Sequence, residues 1–141
     1  MQIKQLSVFL ENKGGRLNDV AKILGQAGIN MSAFSLAESS DFGILRVIVS
    51  DPVKAQAILK ENKFAVSLTD VICVQVSNSP GALARILNII TDNGISIDYM
   101  YAFAEGSDAN VILKPDKTDD CISILQKNKI SLIAADELYK I

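Results

Sequence analysis

Apolar residues recur along this chain with two different periods, and each period predicts one kind of element. Leu6, Val8 and Leu10 occupy every second position, which indicates a strand with one buried face. The next apolar residues recur at helical spacing and predict an amphipathic helix. They are Leu17, Val20, Ala21 and Leu24. Gly28 ends this helix, because a left-handed residue after a helix costs least as glycine.

The pattern then predicts two more strands, a helix and a final strand. A second strand is expected at about 30–38 and a third at 44–49, with a polar turn between them. Asp51 and Pro52 read as the N-cap and first residue of a second helix. A fourth strand is expected near 65–70. The predicted order of elements is therefore βαββαβ.

The same pattern occurs twice at an offset of 66 residues, which pairs Asn12 with Asn78 and Gly15 with Gly81. In the second copy the strands are expected at 72–76, 96–104, 110–114 and 131–134. Two copies of one structural unit follow, with boundaries at 1–69 and 70–141. The fold class predicted is α+β: two ferredoxin-like units, each with an antiparallel sheet and both helices on one face.

Composition excludes several classes of protein. The chain is 49% hydrophobic with a net charge of -2, so it lacks the basic surface that nucleic acid demands. It has no apolar run long enough to span a membrane and no signal peptide at its start, so we expect a cytoplasmic protein. Cys73 and Cys121 have apolar neighbours and are expected to be buried, reduced thiols.

The absence of histidine argues against catalysis. Without histidine the chain lacks the usual general base, the usual zinc ligand and every Ser-His or Cys-His nucleophile pair. We therefore expect no enzyme activity, no metal site and no cofactor.

Two loops connect the first strand and first helix of the two copies, and they read "NKGGRL" (12–17) and "NSPGAL" (78–83). With "AGINM" and "NGISI" before the second strands, and with the βαββαβ order, they resemble the ACT domain family over essentially the whole chain. The nearest likeness is to free-standing tandem ACT proteins. The resemblance implies binding of a free amino acid where two ACT units meet, without chemistry on it, and regulation of a separate enzyme of amino-acid metabolism.

The physics of these loops agrees with this function. A helix N-terminus has unpaired N–H groups and a partial positive charge, and both suit a carboxylate. Gly15 and Gly81 are expected to let a ligand approach the backbone, since glycine has no Cβ. Gly14 and Pro80 are expected to set the turns. Asp98 is the candidate partner for the ligand's amino group.

The candidate ligand-binding residues are the two loops and the polar starts of the second strands. In the first copy they are Asn12, Gly14, Gly15, Arg16, Leu17, Asn30, Met31 and Ser32. In the second copy they are Asn78, Ser79, Pro80, Gly81, Ala82, Leu83, Ser96, Ile97 and Asp98. The second loop is favoured, because Pro80 stiffens it and Asp98 supplies a countercharge.

Two alternatives remain open from the sequence. The glycine loops could be purely architectural, in a dimerisation or scaffold module that binds no ligand. An acylphosphatase-like enzyme would use an arginine in the first loop, and Arg16 invites that comparison, but the second copy has Ala82 there. Which amino acid binds, whether one loop or both bind it, and whether chains pair as homodimers are also left open.

Overall fold

The computed structural model describes residues 2–11, 14–38 and 41–141. The strands are β1 (Ile3–Glu11), β2 (Met31–Glu38), β3 (Phe42–Val49), β4 (Ala65–Ser77), β5 (Ile97–Glu105) and β6 (Asp108–Pro115). The helices are α1 (Arg16–Gln26), α2 (Pro52–Glu61), α3 (Ala82–Asp92), α4 (Thr118–Lys127) and α5 (Ala135–Tyr139). The predicted α+β class and the βαββαβ order of both copies are confirmed.

The chain divides into two compact units, and each unit includes a short piece from the far end of the sequence. The N-terminal unit comprises residues 4–69 and 138–141, and the C-terminal unit comprises residues 70–137 and 2–3. In the N-terminal unit, the Tyr139 hydroxyl accepts a hydrogen bond from the backbone N–H of Lys4 at 2.8 Å. Leu138 is fully buried, which anchors the last residues to that unit.

In the N-terminal unit, β3 lies between β1 and β2 and is antiparallel to both. Leu6 is paired with Val47 of β3, and Phe34 of β2 is paired with the same residue. Residues that face each other across paired strands point to the same side of the sheet. The side that carries Leu6 and Val47 packs against α1 and α2, as the alternation predicted.

The C-terminal unit repeats this arrangement, with β6 between β4 and β5. Ile72 is paired with Leu113, and Met100 of β5 is paired with the same residue. The fourth strand expected at 131–134 is not a full strand: it is reduced to a bridge between Leu132 and Val74. The chain turns into the short helix α5 only three residues later, which limits the length of pairing.

Each unit has its own apolar core. In the N-terminal unit the fully or almost fully buried residues include Leu6, Val8, Val20, Leu24, Val47 and Leu59. In the C-terminal unit they include Ile72, Val74, Ile90, Leu113, Cys121 and Leu125. Two residues of the predicted helical stripe are exceptions. Leu17 and Ala21 are exposed, because α1 turns Val20, Ile23 and Leu24 toward the sheet instead.

The predicted helix ends are confirmed. The Asp51 side chain accepts a hydrogen bond from the Lys54 N–H, and Pro52 is the first residue of α2. Gly28 and Gly94 follow α1 and α3 in the left-handed conformation, each with φ 72°. No helix in the described part of the chain is long and apolar enough to cross a membrane.

Candidate functional site

The glycines before α1 and α3 have nearly identical backbone conformations. Gly15 has φ 87° and Gly81 has φ 86°, so both lie in the left-handed region that residues with a Cβ rarely adopt. Apart from the adjacent residues, a Cβ built on either glycine would meet no atom of the described residues within 4 Å. The space beside each glycine is therefore open, as the approach of a ligand to the backbone would require. Within the chain itself, the left-handed backbone requires them.

Both helices begin without a side-chain cap. The N-cap positions are the glycines themselves, so no N-cap side chain accepts a hydrogen bond from the first turn of α1 or α3. The first intrahelical bonds run from the Asp19 N–H to Gly15 O at 2.9 Å and from the Arg85 N–H to Gly81 O at 3.2 Å. The Ala82 N–H also donates to Ser79 O, at 3.3 Å. The other N–H groups of each first turn have no partner within the helix, so each loop presents backbone donors at a positive helix end.

The 78–83 loop is held by hydrogen bonds to neighbouring residues. The Asn78 N–H donates to Ser107 O at 2.9 Å, and the Ser79 N–H donates to Ser77 O at 2.9 Å. The hydroxyls of Ser77 and Ser79 are also bonded to each other, at 2.9 Å. Asn12, the counterpart of Asn78 in the first loop, lies outside the described residues.

The two loops differ most at the first helical residue. Arg16 stacks on the Phe64 ring, with the guanidinium carbon 4.0 Å from the ring centre, and its Nη1 lies 4.0 Å from Asp19 Oδ2. Its Nε is buried and has no hydrogen-bond partner among the described residues. Ala82 occupies this place in α3. Arg16 is therefore a packed residue that covers an aromatic ring, rather than a solvated one.

Within each unit, the loop and the start of the second strand lie at opposite ends of the sheet. Glu38, the last residue of β2, and Leu10, near the end of β1, both pair with Gly43, whereas Met31 pairs with Val49. Seven residues of strand separate Met31 from Glu38, which is about 23 Å. The register of β5 gives the same result in the C-terminal unit, where Glu105 pairs with Asp108 and Ile97 with Pro115. The structure therefore does not bring a loop and the strand start of the same unit together.

The polar groups at the strand starts already have partners in the chain. The Asn30 side chain donates to Ile141 O at 3.2 Å, and the Ser32 hydroxyl donates to Ile48 O at 3.2 Å. The Ser96 N–H donates to an Asp116 carboxylate oxygen at 3.0 Å. Asp98 is half exposed, and its Oδ2 lies 3.5 Å from Lys114 Nζ. A ligand's amino group would share the Asp98 carboxylate with this lysine, which sequence spacing did not reveal.

The two apolar residues among the candidates at the strand starts are structural. Met31 packs against the N-terminal core and Ile97 against the C-terminal core, and both are partly buried.

The second strand of each unit is an edge strand that carries large exposed apolar side chains. In the described residues, β2 is hydrogen-bonded to β3 and β5 to β6, each on one side. Phe34 and Leu36 on β2 are 62% and 53% exposed, and Met100 on β5 is 43% exposed. An exposed apolar edge favours association with another chain, because its backbone groups are also unpaired.

The thiols do not contribute nucleophiles or ligands. Both are buried, and burial raises the pKa of Cys73 to about 12 and that of Cys121 to about 11, with the nearby carboxylates of Glu105 and Asp116 adding to the respective shifts. Both thiols are therefore protonated at neutral pH. Among the described residues, no group of three His, Cys, Asp or Glu side chains could hold a metal ion.

Comparison with known proteins agrees with this architecture. The chain is 51% identical to protein BT0572 from Bacteroides thetaiotaomicron and matches its crystal structure with a TM-score of 0.97, over 100% of this chain and 98% of that one. The regulatory subunit of aspartate kinase from Thermus thermophilus shares the fold at 12% identity, with a TM-score of 0.63 over 88% of this chain and 90% of that one. No curated protein matches the sequence.

The Thermus flavus regulatory subunit of aspartate kinase is similar to the same degree, with 13% identity and a TM-score of 0.59 over 89% of this chain and 92% of that one. At these identities the likeness concerns the fold alone. The family model described as "ACT domain pair" matches residues 1–141. This chain therefore belongs to the ACT domain pair family.

Proposed function

We propose that this protein is a non-catalytic regulatory protein that binds a free amino acid at its glycine loops. The observation that carries the proposal is the repetition, in two units, of a left-handed glycine in front of an uncapped helix. The ligand's carboxylate accepts hydrogen bonds from backbone N–H groups of Gly81–Leu83 or Gly15–Leu17. A helix N-terminus without a side-chain cap leaves these donors to an external anion.

The amino group of the ligand is held by the start of a second strand, around Ser96–Asp98 or Asn30–Ser32. Since a loop and a strand start of one unit lie about 23 Å apart along the sheet, a bound amino acid cannot reach both. The loop and the strand start that share a ligand therefore belong to two different units. We assign them to two copies of the chain, because β2 has an exposed apolar edge that a second copy could pair with. The protein is accordingly a homodimer when it binds its ligand.

The exposed edge strand supports this arrangement. Antiparallel pairing of β2 with the same strand of a second copy would place the start of one strand beside the end of the other, and thus near the other copy's loop. The same pairing would cover Phe34 and Leu36, which are exposed in the single chain. It would also satisfy the unpaired backbone groups of the edge.

The regulated partner is an enzyme of amino-acid metabolism that is encoded separately. Membership of the ACT domain pair family supports this role, and the Thermus proteins of the same fold are named as regulatory subunits of aspartate kinase. Regulation requires that the ligand-bound and ligand-free forms of this protein bind that enzyme with different affinities.

A scaffold module without a ligand is the second candidate, and one observation favours it. The polar groups of Asn30, Ser32 and Asp98 are all engaged by partners within the chain, so their side chains need no ligand. An acylphosphatase-like reaction is disfavoured, because Arg16 is stacked on Phe64 and lies beside Asp19.

A thermal-shift screen against the twenty amino acids distinguishes the two candidates. We expect one amino acid, or a small related group, to raise the unfolding temperature. A ligand at a hundred times its Kd adds about 2.7 kcal/mol to the free energy of unfolding. Calorimetric titration of each hit, and of its D-enantiomer as the control, measures the affinity. If no amino acid changes the unfolding temperature, the scaffold module is the better account.

A further inference from the structure

The C-terminal unit has a cleft beside the first turn of α3, and the N-terminal unit has a cleft along α1 from Arg16 to Gln26. The first of these is the cleft of the C-terminal unit. Its volume is about 220 Å³. Its apolar lining consists of Val76, Ala82, Ile86 and Ile130. Its polar residues are Gln75, Ser77, Arg85, Lys129 and Ser131. Val76 and Ile86 are buried, whereas all five polar residues are exposed, so the cleft has an apolar floor and a polar rim.

The charges on this rim are of one sign. Arg85 and Lys129 both line the cleft, and no carboxylate does. Within the described ranges, neither cation has an ion-pair partner. Two unpaired cations over an apolar floor attract an anion that has an apolar part.

The N-terminal unit provides a comparison within the same chain. Its cleft, of about 320 Å³, is lined by Arg16, Asp19 and Lys22 among others. Counting along the repeat, Ala82 replaces Arg16 and Arg85 replaces Asp19, so the arginine is displaced by about one helical turn. The Asp19 carboxylate lies 4.0 Å from the Arg16 guanidinium, so the charge of the arginine in the N-terminal cleft is offset by a carboxylate of the same cleft. No carboxylate of the described residues lines the cleft of the C-terminal unit.

We propose that the cleft of the C-terminal unit binds a small aliphatic carboxylic acid that has no amino group. The carboxylate lies between Arg85 and Lys129, with the Ser131 hydroxyl as a further donor. The aliphatic part lies on Val76, Ile86 and Ile130. An α-ammonium group would be repelled by the two cations, so the cleft discriminates against amino acids. This site differs in its ligand from the amino-acid site at the glycine loops, although Ala82 borders both.

The test compares 4-methylpentanoate with leucine, which differ by the amino group alone. Amide signals of Ile86, Lys129 and Ser131 are followed by NMR during titration at low salt, with those of Arg16 and Ile23 as the comparison in the other cleft. We expect saturable shifts with 4-methylpentanoate at the first three residues only. Leucine should bind there at least about tenfold more weakly. Raising the salt from about 0.02 M to about 0.3 M should weaken binding several-fold.

Variants distinguish binding in this cleft from nonspecific attraction of the acid to positive charges on the surface. Arg85→Gln and Lys129→Gln should each lower the affinity about three- to fivefold, and the double variant more than about tenfold, as for exposed charge pairs. Lys127→Gln removes the same charge from an exposed position of α4 outside the cleft and should leave the affinity unchanged.

Three results would overturn the proposal. One is that the Arg85, Lys129 and Lys127 variants all bind 4-methylpentanoate with the same affinity. Another is leucine binding to the cleft as tightly as 4-methylpentanoate. The third is inorganic phosphate binding there as tightly as the organic acid, since the apolar floor would then contribute nothing. None of these results bears on the amino-acid screen, so failure of this proposal and failure of the proposed function are distinguishable.

Discussion

Replacement of Gly81 by valine is expected to abolish amino-acid binding at the second loop and to lower the free energy of unfolding by about 1–2 kcal/mol. Gly81 has φ 86°, and a β-branched residue disfavours this conformation strongly. The loop therefore shifts toward negative φ, and the N–H groups of the first turn of α3 no longer converge on one point. Calorimetric titration with the amino acid identified by the screen measures binding, and chemical denaturation measures stability.

Gly25→Ala is the matched control for this experiment. Gly25 lies inside α1, and a Cβ added there also meets no atom within 4 Å. Alanine should stabilise the helix by roughly 0.5–1 kcal/mol and leave binding unchanged. Gly15→Val tests the first loop in the same way. If both valine variants bind every amino acid as the parent does, the loops are turns and the proposed site is wrong.

Replacement of Phe34 by glutamate is expected to separate the dimer and, with it, to remove amino-acid binding at the first loop, whose partner strand start lies on β2. Phe34 is 62% exposed in the single chain, so the change should alter the stability of the monomer by less than about 0.5 kcal/mol. In a paired edge, the same glutamate would be buried beside apolar groups. The dimer should weaken by about thirtyfold or more, comparable to the loss of an interface hot spot.

Sedimentation equilibrium with and without the amino acid measures this effect. Val53→Glu is the control, because Val53 is an exposed apolar residue of α2, 70% exposed, on an element away from the edge strand. The control should dimerise and bind as the parent does. Full ligand affinity in a monomeric Phe34→Glu variant would show that one chain is sufficient for the site, and would contradict the assignment of loop and strand start to two copies.

The sequence was sufficient to predict the order and approximate limits of most elements. The alternation of Leu6, Val8 and Leu10 and the helical spacing of Val20 and Leu24 reflect burial on one face, which local periodicity reports directly. Gly28 and Gly94 were predicted as helix ends because a left-handed backbone is a local requirement. The exposed Leu17 and the shortened strand at Leu132 were not predicted, since both depend on which neighbouring element packs there.

The amino-acid sequence by itself determined that the chain is a repeated βαββαβ unit with a glycine in front of each first helix. These features depend on the conformational preferences of residues and on the periods of helix and strand. The tertiary structure alone decided which candidate groups can act together. Strand register places a loop and the strand start of its own unit at opposite ends of the sheet and brings Asp98 beside Lys114. Packing of α1 against the segment before β4 stacks Arg16 on Phe64. Such pairings arise from contacts between residues distant in sequence, which no local pattern specifies.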